Sequence, residues 1–228
     1  MKKLLEDIYI IEGIGNANVF LLKSSDGFIL IDSGIFKQTH LLIAQIKENG
    51  FHISELKTIV LTHCHCDHIG GVTELVKHSE AKVAAHKDDI PYITQEKIIL
   101  GAYHDMMAEE QKVMKQFGCN VRQVDIVLND GDVIDIHNGL QVISVPGHTP
   151  GSIALYQANE KIMFFGDVIR NNPKRGLTIG IPEKFNFSTE QTMYDTKKIL
   201  NYSIEYALFS HGSPILENAE KYLKEIIN

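Results

Sequence analysis

The chain has 228 residues, of which 44% are hydrophobic and 22% are charged, and its formal net charge is −7. This composition is ordinary for a globular protein, so it excludes a chain that is mainly disordered or fibrous. The excess of acidic side chains argues against general binding to nucleic acids or anionic membranes, because it repels phosphate groups at long range.

Short apolar runs in the first third of the chain predict strands with helices between them. Asp26-Gly27 is a hairpin turn signal, and Asn49-Gly50 is a helix stop. The apolar run that begins at Thr58 is continuous, which indicates a strand buried on both faces. The predicted strands lie at 7–13, 18–24, 27–34, 58–63 and 81–86, and the predicted helices at 38–48 and 68–76.

The remaining chain repeats this arrangement. Residues 88–118 have a helical or irregular pattern and are predicted to form a helical insertion, and Ser188 is a predicted helix N-cap. Further strands are predicted at 124–128, 132–136, 140–145, 152–157, 161–166 and 206–211, with a helix after Ser188 and another at 216–227. No linker divides the chain, so we predict a single α/β domain over residues 1–228, with two mixed sheets packed together and flanked by helices.

The strongest functional signal is the segment THCHCDHIGG, which begins at Thr62 where a predicted buried strand ends. His63 and His65 are two residues apart in an extended chain, so both side chains point the same way and can reach one metal ion. Asp67 and His68 follow where the chain turns into a helix, and they can reach a second ion close by. Imidazole and carboxylate are ligands that zinc accepts. The alternative, surface histidines at a strand end, gives no reason for four potential ligands within six residues.

The cysteines do not extend this pattern. Cys64 and Cys66 alternate with the histidines, so they should point away from the metals, and Cys119 is expected to be a small hydrophobic residue. Three cysteines without regular disulfide spacing indicate a reducing compartment. The sequence shows no signal peptide and no apolar run of roughly 20 residues, so we expect a cytoplasmic protein.

Three later ligand-type residues stand beside glycine at predicted strand ends. His148 lies in the loop PGHTPGS, Asp167 follows the strand at 161–166, and His211 ends the strand at 206–211. Each of them alone is more often a turn residue than a ligand. Taken with the first motif, they complete two metal sites.

This ordered set of motifs, together with IDSG at Asp32, resembles the metallo-β-lactamase superfamily over about residues 8–211. The resemblance implies a four-layer αβ/βα sandwich with its site at one edge between the sheets. It also implies that Asp32 supports the site through hydrogen bonds without binding metal. The implied ligands are His63, His65 and His148 for one ion, Asp67, His68 and His211 for the other, and Asp167 as the bridge between them.

The resemblance implies a dinuclear hydrolase that cleaves an ester, thioester, lactone or amide bond of a small metabolite. Two divalent ions lower the pKa of a water held between them, and the resulting hydroxide attacks the carbonyl. Zinc is the first choice of metal, while iron and manganese accept the same ligands. Asp67 is the candidate that orients this water and carries its proton.

Two branches of the family come nearest, and the chain departs from both. Glyoxalase II-like thioesterases bind glutathione through a C-terminal helical extension, whereas only 17 residues follow His211 here. Acyl-homoserine lactonases have a tyrosine three positions after the bridging aspartate, whereas this chain has Arg170. The substrate therefore stays open.

Two other reaction classes stay as alternatives. A persulfide dioxygenase-like enzyme would use one iron, held by His63, His148 and Asp167, to activate oxygen. A nucleic-acid-processing hydrolase of the same family is disfavoured by the net charge of −7. The second set of ligands favours the two-metal hydrolase. The sequence leaves the oligomeric state open.

Two groups of residues are candidates for contacting substrate. Arg170 and Arg175 lie in a predicted loop just after Asp167, and a guanidinium fork suits a carboxylate or phosphate, so we expect an anionic substrate. The alternative is a solvated basic loop or an ion pair with a nearby acidic side chain. The insertion at 88–118 is expected to lie near the site as a flap. Its residues Tyr92, Tyr103, Met106 and Met107 could line an acyl pocket or simply pack the insertion.

Overall fold

The computed structural model of the protein describes residues 1–98, 104–136, 138–180 and 185–227. The chain forms two compact units. The first contains Met1–Ile98 and Asp105–Val127, and the second contains His104 and the described residues from Leu128 onward.

The first unit is built on a seven-stranded mixed sheet whose strands are ordered as in the sequence. Strands β1 to β4 run antiparallel, and β4, β5 and β6 run parallel to one another. The strands are β1 (Lys2–Leu5), β2 (Ile8–Ile11), β3 (Val19–Ser24), β4 (Gly27–Ile31), β5 (Leu56–Val60), β6 (Lys82–His86) and β7 (Ile126–Leu128). The carboxyl ends of β4, β5 and β6 therefore meet at one edge, where the chain leaves the sheet at Asp32, Leu61 and Lys87.

Helices connect these strands. They are α1 (Thr39–Glu48), α2 (Cys66–Ile69), α3 (Val72–Ser79), α4 (Ile90–Ile93) and α5 (His104–Gln116), with short 3-10 turns at Phe36–Gln38 and Ile53–Glu55. The helix predicted at 68–76 is present but divided, because α2 ends at Ile69 and α3 begins at Val72. The amide of Gly71 donates to Ser33 Oγ at 3.1 Å, which ties the break to the loop after β4.

The second unit contains a five-stranded sheet, ordered β14-β11-β10-β9-β8, and a separate two-stranded hairpin. Its strands are β8 (Val133–Ile134), β9 (Leu140–Ser144), β10 (Ile153–Gln157), β11 (Ile162–Phe164), β12 (Ile169–Asn172), β13 (Gly176–Ile179) and β14 (Tyr206–Leu208). Strands β11 and β14 are parallel neighbours, so both end at the same edge. Phe165 and Phe209 follow these two strands, are fully buried, and stack with ring centroids 5.3 Å apart.

The prediction of a loop after Asp167 is wrong, because residues 169–179 form the β12–β13 hairpin. Asn172 pairs with Gly176, and the Asn172 side chain accepts hydrogen bonds from the amides of Lys174 and Arg175 at 2.9 and 3.2 Å. These bonds close a tight turn that a polar sequence can form.

Two helices complete the second unit, α6 (Thr189–Asp195) and α7 (Ala219–Ile227), with a 3-10 turn at Thr196–Asn201. The predicted N-cap is confirmed, since Ser188 Oγ accepts a hydrogen bond from the Gln191 amide at 3.2 Å. Among the helices that the structure describes, none combines the length and apolar character needed to cross a bilayer.

Candidate metal centre

In the first unit, three predicted ligands lie close together in the segment that follows β5. They are His63, His65 and His68. The rings of His63 and His68 have centroids 3.9 Å apart, and those of His63 and His65 are 4.8 Å apart. The potential ligand atoms of His63 lie within 4.8 Å of those of both other histidines. All three imidazoles are buried. Buried imidazoles are unfavourable in an apolar core, because their ring nitrogens need polar partners. A metal ion is a partner that several imidazoles can share.

Asp67 stands at the border of this group. One of its oxygens lies 3.7 Å from His68 Nε2, and its side chain keeps 26% of its surface exposed. Cys64 is buried and Cys66 is half-buried, and neither forms a disulfide among the described residues. Neither thiol belongs to the groups of potential ligand atoms that come within 4.8 Å of one another among the described residues.

Asp32 contacts this group through its carboxylate. It is fully buried, and its backbone φ of 62° is one that aspartate tolerates better than most residues. One carboxylate oxygen accepts from the Thr62 amide at 2.8 Å, and the other lies 2.8 Å from His68 Nδ1. A carboxylate on one ring nitrogen leaves the other nitrogen, Nε2, available to a metal. The residues therefore fit a divalent ion.

The turn that follows the motif needs small residues. A Cβ at Gly71 would overlap the carbonyl oxygen of Ser33, and one at Gly70 would crowd the amide of Phe36. Ser33 Oγ also donates to the carbonyl oxygen of His68 at 2.7 Å. The Gly-Gly pair thus fixes the ligand segment against the loop after β4.

In the second unit, the two later predicted histidine ligands, His148 and His211, both lie near Asp167. His148 Nε2 lies 3.6 Å from one oxygen of Asp167, and His211 Nε2 lies 3.1 Å from the other. Asp167 thus presents one carboxylate oxygen to each of two imidazoles. His148 Nδ1 lies 3.3 Å from Oδ1 of buried Asn186. Asn186 could not be predicted from the sequence, because 38 residues separate it from His148 and no motif marks it.

The residues predicted to contact substrate do not share one location. Arg170 Nη2 lies 3.6 Å from Asp167, and the Arg170 side chain is 24% exposed. Among the described residues, buried Arg170 Nε has no hydrogen-bond partner. Arg175 is exposed at the turn of the β12–β13 hairpin. Tyr103 lies outside the described residues. Burial, with a smaller contribution from Asp89, raises the pKa of Tyr92, so its phenol is neutral at neutral pH.

Comparison with known proteins identifies the family. A family model described as the metallo-beta-lactamase superfamily matches residues 13–211. The probable metallo-hydrolase YflN of Bacillus subtilis (strain 168) is 26% identical over 230 residues, which cover 93% of this chain and 87% of that protein. The human acyl-coenzyme A thioesterase MBLAC2 is 29% identical over 175 residues, and the match spans 69% of this chain and 60% of the thioesterase.

Among solved structures, a metallo-beta-lactamase family protein from Thermus thermophilus matches 99% of this chain and 79% of its own, with a TM-score of 0.75 and 21% identity. That likeness shows the α/β fold of the metallo-β-lactamases, as the motifs implied. The match of the family model covers most of the chain and includes all of the predicted ligands. The chain therefore belongs to the metallo-β-lactamase superfamily and is a metal-dependent hydrolase.

Proposed function

We propose that this hydrolase is dinuclear and cleaves the thioester or ester bond of a small anionic metabolite. The observation that carries the proposal is Asp167, whose two oxygens face two different histidines. A site for one ion would need Asp167 beside only one of these histidines. A site for two ions would need Asp167 beside a histidine from each ligand set, which is the arrangement seen here.

The proposed ligand sets follow the family resemblance. In these sets His63, His65 and His148 would hold one ion, Asp67, His68 and His211 would hold the other, and Asp167 would serve both. A single domain over residues 1–228 stays part of the proposal, and the family match runs through both units. Zinc is the proposed metal because imidazole and carboxylate are its usual nitrogen and oxygen ligands, with iron and manganese as alternatives.

Bound divalent ions would lower the pKa of a water molecule and polarise the scissile carbonyl. The chain itself must then hold and move a proton. Asp67 is the better of the two carboxylates for this work, because its side chain is 26% exposed whereas that of Asp167 is 4% exposed. A group that reaches solvent can pass its proton on, so we assign the proton transfer to Asp67.

A thioester or ester is the preferred substrate class. The likeness to a thioesterase supports it, and that match spans 60% of the thioesterase. A lactone or an amide stays second, because Arg170 stands where the lactonase branch has a tyrosine. The flap role of residues 88–118 and a contact from Tyr103 to the acyl group stay proposals. Three cysteines without a disulfide among the described residues favour the cytoplasm as the proposed location, and small molecules are the proposed partners.

Metal analysis combined with a substrate panel tests this function. We expect two divalent ions per chain, and turnover of at least one acyl thioester or ester that a chelator abolishes and zinc restores. Phosphodiesters and nucleic acids serve as the comparison substrates. One iron per chain with oxygen uptake would instead support the persulfide dioxygenase-like alternative, and cleavage of phosphodiesters alone would support a nucleic-acid-processing enzyme.

The anionic part of the substrate is tested at the two arginines. Arg170→Ala and Arg175→Ala should weaken binding of an anionic substrate by about 1.5–3 kcal/mol, the range for a lost charge-assisted hydrogen bond, and leave a neutral analogue unaffected. Lys174→Ala is the matched control, since Lys174 is exposed in the same turn. Equal effects on both substrates would mean that Arg170 acts through its ion pair with Asp167 and not on the substrate.

A further inference from the structure

The hydroxyl of Thr62 lies between Asp32 and His63. Thr62 Oγ1 is 3.0 and 2.9 Å from the two oxygens of Asp32, and 3.1 Å from Nδ1 of His63. All three side chains are at least 99% buried. Thr62 is therefore in contact both with the carboxylate that supports the ligand group and with one proposed ligand.

The protons of this network can be assigned by counting donors and acceptors. A carboxylate only accepts hydrogen bonds, and a threonine hydroxyl has a single proton to donate. The Thr62 amide, the Thr62 hydroxyl and His68 Nδ1 all lie within hydrogen-bond distance of the Asp32 carboxylate, which accepts from them. The Thr62 proton thus points at Asp32, and a lone pair of the same oxygen faces His63.

The consequence for His63 is a fixed tautomer. Its Nδ1 faces an oxygen that has already donated its proton, so Nδ1 must carry the hydrogen and donate. A neutral imidazole has only one N–H, which leaves Nε2 of His63 with its lone pair available to a metal. The same holds for His68, whose Nδ1 faces Asp32 directly.

We propose that Thr62 is a positioning residue that couples Asp32 to His63, so that one buried carboxylate sets the tautomers of two proposed ligands. Asp32 acts on His68 directly and on His63 through the Thr62 hydroxyl. This inference rests on the proposed metal site for its purpose, but the tautomer of His63 is a property of the protein without metal. A merely structural Thr62 would fill space and would leave that tautomer unchanged.

The test compares Thr62→Val with Thr62→Ser. Valine keeps the shape and removes the hydroxyl, whereas serine keeps the hydroxyl. Long-range ¹H–¹⁵N NMR of the histidine rings in the metal-free protein reports the tautomers, and His63→Gln identifies the signals of His63. We expect the Nδ1–H form at His63 in the wild type and in T62S, and its loss in T62V. Zinc affinity should fall by about 10–100-fold in T62V and recover in T62S.

Thr58→Val is the control, because Thr58 is also buried, in β5 of the same unit. It should leave the His63 tautomer and zinc affinity unchanged. The Nε2–H form at His63 in the wild type would overturn the proposal, even if T62V failed to fold. So would a folded T62V that keeps the Nδ1–H form and full zinc affinity. If the wild type bound no zinc, iron or manganese, the metal-dependent function would be contradicted. The NMR result would then decide the tautomer of His63 independently of that function.

Discussion

Replacing His63 or Asp167 by alanine is expected to lower kcat/KM for the hydrolysed substrate by about 100-fold or more, with a folded protein left behind. The His63 ring contacts the rings of both His65 and His68, and Asp167 faces both His148 and His211. Each substitution therefore removes a group that several other proposed ligands share. Neither residue lies within a strand, so the sheets should survive the loss.

Activity, bound metal measured by mass spectrometry and circular dichroism are the three measurements. His78→Ala is the matched control, because His78 is 45% exposed on α3 and contacts only Glu74 among the interactions described for it. It should leave activity and metal content at wild-type values. If either His63→Ala or Asp167→Ala kept more than about a tenth of the wild-type rate, that residue would not be a ligand.

The sequence predicts best where the burial pattern is simple. Continuous apolar runs such as the one at 58–63 correspond to central parallel strands, here β5, because both faces of such a strand must be covered. It predicts poorly where polar segments pair. Strand β1 begins with two exposed lysines, and β12 contains Arg170-Asn171-Asn172, so neither shows alternation or strong strand propensity. Contacts with neighbouring segments decide these strands.

The ligand set is more predictable than its surroundings. His63, His65 and His68 occur within six residues between the end of β5 and α2, so the local course of the chain brings them together. The contact between His148 and Asn186 depends on how a distant loop folds back, and the spacing of residues gives no sign of it. Arg170 likewise is close to Asp167 only because β12 starts two residues after it. Local ligands follow from local structure, while their hydrogen-bond partners follow from tertiary packing.

The second prediction concerns Gly212, the residue after His211. We expect Gly212→Ala to destabilise the protein by more than about 4 kcal/mol, a loss that requires a specific structural cause. A Cβ at this position would overlap the carbonyl oxygen of Asn171, and φ is +100°, which side-chain-bearing residues rarely adopt. Asn171 also donates from its amide to the His211 carbonyl at 3.0 Å, so the overlap must separate two segments that are bonded together.

Urea unfolding and residual activity measure this effect, with Gly176→Ala as the control. Gly176 lies in the same hairpin as Asn171 and has a φ of +71°, but no heavy atom lies within 4 Å of its added Cβ. It should cost only about 1–2 kcal/mol, the penalty of the left-handed backbone. Both variants have a positive φ, so a loss at Gly212 several kcal/mol larger than at Gly176 reports the close approach of Asn171 together with the more extreme φ of Gly212. Since His211 precedes Gly212 directly, Gly212→Ala should also lose metal and activity while still folded at low temperature, whereas Gly176→Ala should keep both. Equal stability of the two variants would mean that the hairpin moves away freely, and that its contact with residues 211–213 does not position His211.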